Sequence, residues 1–156
     1  MIYLKNLFFI LVFTFFLFFE MLLNTFFSFD YLILLPFFIA LFYISTRTFS
    51  NFFISVLMFC GVYYDLLYSS NILGFSSAKF LIVAMLMNFV IANQQKNVFL
   101  DFMTFLTGLF IYKFSFNIEF LDAQNLLQLF ISSPFNYFLF RILNITIDKN
   151  VLKQKI

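Results

Sequence analysis

Long apolar runs broken by single polar residues at wide intervals dominate this chain. A bilayer-crossing helix needs about 20 mostly apolar residues, within a range of about 17–25. On that criterion the pattern predicts six helices, near residues 4–23, 31–45, 51–68, 76–92, 98–112 and 125–144. The count falls to five if the second and third pair as one broken crossing. In the first run, Lys5 and Glu20 lie near the ends, where charged side chains reach the headgroups. The second is short and interrupted by Pro36, which predicts a kink. The sixth starts at Asn125 or at Pro134 and ends at Asn144. The expected fold is all-α and polytopic, with residues 1–156 forming one integral-membrane domain.

Composition agrees with the pattern. Of 156 residues, 64% are hydrophobic and only 10% charged, where an ordinary soluble domain carries about 25% charged residues. So few charges cannot cover a water-facing surface. Phe supplies 31 residues and Trp none; abundant Phe and Asn beside scarce Gly, Ala, Arg and Pro fit an AT-rich genome more simply than a functional demand. Cys60 stands alone and reads as a small buried apolar residue. The N-terminal run lacks the small-residue cleavage pattern of a signal peptide. The chain shows neither an internal repeat, the usual pointer to inverted-repeat transporters, nor a Pro/Gly/Ser linker.

Charge sets the expected orientation. With six crossings, one side holds Lys5, Arg47, Lys96, Arg141, Lys149, Lys153 and Lys155, and the other only Lys79 and Lys113 of the nine basic residues. Glu20, Asp30, Asp65, Glu119 and Asp122 fall toward the second side, with Glu20 and Asp30 expected to be solvated beside a loop. Basic residues mark the cytoplasmic face, so both termini are expected there. The basic tail "RILNITIDKNVLKQKI" reads as an anchor to acidic lipid headgroups, or alternatively as a partner-binding tail.

Little in the sequence suggests catalysis. It has no His and one Cys, and no G-x-S-x-G, Walker loop or H-E-x-x-H. No catalytic residues, metal ligands, cofactor or nucleic-acid partner are expected. The embedded acid is Asp65. An intramembrane acid costs roughly 2.5–3.5 kcal/mol at a helix centre, which makes it a functional candidate; close to a helix end, an interfacial hydrogen bond explains it equally well. Gly61 lies four residues earlier on the same face and lets another backbone approach closely. Ser69, Ser70 and Asn71 are turn formers, Gly74 opens the next run, and Ser76, Ser77 and Ala78 start a helix whose N-terminus favours an acid. The expectation is a tight outer hairpin fastened by Asp65.

This stretch resembles the rod shape-determining MreD family of bacterial inner-membrane proteins, with a G-x-x-x-D closing one span and an L-G opening the next. The matching residues are Gly61, Asp65, Leu73 and Gly74. "SPFNYFLFRIL", from Ser133, is similar to the family's proline-led last span. The interval from Asp65 to Leu73-Gly74 is one residue longer than the family form, and the second span lacks its leading proline. The resemblance implies a non-enzymatic scaffold of the cell-elongation machinery. Such a scaffold binds the bitopic protein MreC and works with MreB filaments and peptidoglycan synthases in shape control. It also implies a fold similar to the six-helix substrate-binding S-components of energy-coupling-factor transporters. The alternative function is therefore a vitamin-binding membrane subunit, although such a pocket needs several convergent polar groups. A respiratory-complex subunit fits the composition but not the Gly-Asp hairpin.

Overall fold

The structure, a computed structural model, describes residues 2–26, 32–47, 49–67, 72–93, 97–114 and 122–153, without the side chains of 2–6, 8, 91–93 and 147–153. Asp30, Ser69, Ser70, Asn71, Lys96, Glu119 and Lys155 lie outside the described residues. Among the described residues the fold is six α-helices and no sheet: α1 (Ile2–Phe26), α2 (Pro36–Ser45), α3 (Asn51–Leu67), α4 (Phe75–Asn93), α5 (Val98–Lys113) and α6 (Ala123–Lys153). Two of them are long and apolar enough to cross a membrane, over Phe9–Phe26 and Ala123–Thr146.

Local chemistry explains most helix ends. The Asn97 side chain accepts from Phe99 N–H at 3.1 Å to cap α5, with Asp101 in the first turn and Lys113 in the last; both charges oppose the helix dipole. Ser50 Oγ accepts from Phe53 N–H at 3.2 Å at the start of α3. Pro36 begins α2, where its missing N–H and fixed φ cost nothing. It does not kink the second run; residues 32–35 before it are simply not helical.

The shortest helix is the central one. α2 packs against α1, α4, α5 and α6, and Phe37, Phe38, Leu41 and Phe42 are buried. A helix that is apolar on all sides belongs inside a bundle, and "PFFIALFYIS" is such a sequence. Around it the rings meet edge to face: Phe42 with Phe140 at 4.6 Å and 77°, Phe38 with Phe105 at 5.0 Å and 70°, and Phe13 with Phe37 at 5.8 Å and 86°. Such pairs add about 0.5–1.5 kcal/mol each beyond area burial. Pro134 sits inside α6 and leaves the Phe130 carbonyl without its helical donor. The Ser133 hydroxyl donates to that carbonyl at 3.1 Å.

Large apolar side chains lie on the outside as well as in the core, and several polar groups are buried. Phe15, Phe59, Leu66, Phe89, Phe99, Phe130 and Phe138 are exposed, while Glu20, Asp65, Lys79, Ser132 and Asn136 are buried.

Candidate functional site

Two polar constructions lie inside the bundle, and both use side chains to hold backbone. The first is the α3–α4 hairpin. Gly61 on α3 faces α4 so closely that an added Cβ would overlap the Cα, N and Oγ of Ser77. Ser77 Oγ in turn donates to the Met58 carbonyl at 2.8 Å, pinning the crossing one turn below. One turn above Gly61, Asp65 is 3% exposed. Its Oδ2 accepts from Gly74 N–H at 2.8 Å, and its carboxylate also accepts from Ser76 N–H at 3.2 Å. Gly74 has φ +92°, a conformation that glycine adopts without strain. The carboxylate thus closes the turn and caps the start of α4, where unpaired N–H groups and the dipole favour a negative charge. Ser76 Oγ is buried beside it with no hydrogen-bond partner.

Of the four residues singled out from the sequence, Gly61, Asp65 and Gly74 come together in this hairpin. Leu73 does not: its side chain is exposed, and it contributes its position in the turn alone.

The second construction surrounds the non-helical segment before α2, and the sequence did not suggest it. Ile33 N–H donates to Ser132 Oγ at 2.8 Å and Leu35 N–H to Asn136 Oδ1 at 3.0 Å. Asn136 Nδ2 donates to the Ile33 carbonyl at 2.8 Å. Residues 33 and 35 present their amides to the same side, as alternate residues of an extended chain do. Ser132 and Asn136 are four apart and share one face of α6, so they receive this segment much as a neighbouring strand would.

Glu20 completes the arrangement, and here the sequence expectation is corrected. It was expected to be solvated near a helix end, but it is 4% exposed. Its Oε2 accepts from Phe37 N–H at 2.9 Å and from Phe38 N–H at 3.4 Å, and its Oε1 accepts from Tyr112 OH at 2.7 Å. A carboxylate from α1 therefore caps α2 across the bundle. The first amides of a helix favour an anion, and Lys113 adds an opposite charge acting on the same carboxylate.

Lys79 is also buried. Its ammonium donates to the Phe114 carbonyl at 3.1 Å and lies 4.9 Å from the centre of the Phe75 ring. At the opposite end of the bundle, Arg47 donates to Asn144 Oδ1 at 2.8 Å and lies over the Tyr43 ring at 4.7 Å.

No group of three or more His, Cys, Asp or Glu among the described residues could hold a metal ion. Two open grooves are apolar. One, of about 820 Å³, is lined by Leu11, Phe15, Phe18, Phe59 and Tyr63 among others. The other, of about 530 Å³, runs past Pro36, Ala40 and Leu143. No family model, curated protein or solved structure matches this chain.

Proposed function

We propose that this protein is a six-span inner-membrane scaffold of the bacterial cell-elongation machinery, with both termini cytoplasmic and an MreC-like single-span protein as its partner. The observation that carries this reading is how the buried polar groups are used. Glu20, Asp65, Ser132 and Asn136 all bind backbone of the chain itself. An interior occupied in this way suits a rigid frame. What the bundle offers a partner is its outer helix faces and their apolar grooves. Contacts of that kind are made within the bilayer by close packing of helices.

The Gly61–Asp65–Gly74 hairpin supports the MreD-like reading, since the residues of the resemblance meet in one fastened turn. The vitamin-transporter alternative is less well supported. A vitamin site needs several polar groups converging on a cavity, and the two grooves are lined mainly by apolar side chains.

Three experiments test the proposal. Reporter fusions after Ser70 and at Ile156 should give opposite compartment signals; matching signals would overturn the six-span topology. Affinity purification of the full chain from membranes should recover an MreC-like protein, and depletion in a rod-shaped host should give rounded, widening cells. Recovery of an ATPase module and a bound vitamin, with cell shape unchanged, would replace the scaffold by the transporter subunit.

A further inference from the structure

The two polar constructions are joined through the C-terminal end of α5. Lys79 lies one turn after Ser76 on α4, and its ammonium bonds the carbonyl of Phe114, the residue that closes α5. Unpaired carbonyls and the negative end of the dipole favour a cation at that place. Two residues earlier, Tyr112 donates to Glu20, which holds the start of α2. Between them, Phe114 N–H bonds the Ile111 carbonyl at 3.2 Å, so the segment is a single closed turn.

Ring packing follows the same route independently. Phe80, next to Lys79, stacks on Tyr112 at 5.3 Å and 15° and meets Phe37 at 5.1 Å. A path made of hydrogen bonds, ring contacts and the intervening turns of α4 and α5 therefore runs from Gly74 and Ser76 to Phe37 and Phe38.

We infer that the segment from Tyr112 to Phe114 couples the α3–α4 hairpin to the start of α2, with Lys79 and Tyr112 as the positioning residues. The amides at 33 and 35 before α2 are held by side chains rather than by a helical ladder. Loosening the hairpin then loosens the α2 start. The converse holds equally, because coupling between two sites is reciprocal. This inference does not depend on the identity of the partner.

Amide hydrogen exchange on the full chain in lipid nanodiscs tests it. Lys79→Met keeps the apolar stem and removes the ammonium. The expected result is exchange about tenfold faster at Phe37 and Phe38, on a helix with which Lys79 shares no hydrogen bond, as fits the loss of a bond to a charged group. Val56 and Leu57 in mid-α3 should exchange at the wild-type rate, and Lys79→Arg should restore slow exchange at α2. If Lys79→Met does not fold, Tyr112→Phe reads the same coupling in reverse, with faster exchange at Gly74 and Ser76. Unchanged exchange at Phe37 and Phe38 in a folded Lys79→Met protein would overturn the inference. So would acceleration spread evenly over all helices, or hairpin exchange unmoved by Tyr112→Phe.

Discussion

Replacing Asp65 by Leu tests the hairpin most directly. The substitution removes an acceptor held at 2.8 Å from Gly74 N–H and 3.2 Å from Ser76 N–H, in a position only 3% exposed. A buried donor left unsatisfied costs about 1–3 kcal/mol, so two come to roughly 2–6 kcal/mol. Losing the favourable charge at the α4 start adds about 0.3–1 kcal/mol. In the bilayer setting proposed above, burying leucine returns little transfer energy, so the net loss stays at about 2–7 kcal/mol. Asp65→Asn retains one acceptor oxygen and should lose about 1 kcal/mol, the size of one net hydrogen bond. Reversible unfolding of the full chain in mixed micelles, followed by circular dichroism, gives both values. An Asp65→Leu protein within about 0.5 kcal/mol of wild type, the range of ordinary surface changes, would refute the fastening role. A folded Asp65→Asn protein that fails in the cell would show instead that the charge itself is used there.

Other expectations follow from single contacts. Gly61→Leu places a side chain against Ser77 backbone and should cost at least the roughly 1–3 kcal/mol of overpacking; an unchanged melting temperature would contradict the close crossing. Gly74→Ala meets no neighbouring atom but inherits φ +92°, and should cost about 1–2 kcal/mol through backbone strain alone, with Gly74→Asn milder in the same melt. Asn136→Leu leaves Leu35 N–H and the Ile33 carbonyl unpaired. It should lose roughly 2–6 kcal/mol, with faster amide exchange at Leu35 as the local readout.

The hairpin was legible in the sequence because its parts are close along the chain: Asp65 and Gly74 are nine residues apart, and glycine, acid and turn formers leave a local signature. The second construction joins Glu20 to Phe37 across 17 residues and Asn136 to Ile33 across 103. Nothing local marks those meetings, so Glu20 read as a solvated acid at the end of a run. A fainter signal was present in Ser132 and Asn136, two polar residues at helical spacing in an apolar stretch. The short second run has a physical explanation too. The ten residues of α2 rise about 15 Å as a helix, and residues 32–35, if fully extended, add about 13 Å. Together they come to about 28 Å, close to the ~30 Å hydrocarbon thickness, with fewer residues than a full helix of that length needs.

The groups grasped by Glu20, Ser132 and Asn136 belong to the main chain, and every amino acid except proline carries the same amide. Positions 33, 35, 37 and 38 are therefore free of any side-chain requirement from their captors. Only proline is barred there by the hydrogen bonds, while packing asks for bulk and apolarity. Among descendants of this chain the half-buried position 33 can drift through Leu, Ile, Val, Met and Phe, while Leu35, Phe37 and Phe38 are held to apolar residues of similar volume by the core around them. The three captors, whose side-chain oxygens and amide have no generic substitute, hold still. A record of substitutions accumulated over time would then show the captors on the two embracing helices fixed in chemistry, and the captured residues fixed only in size and apolarity.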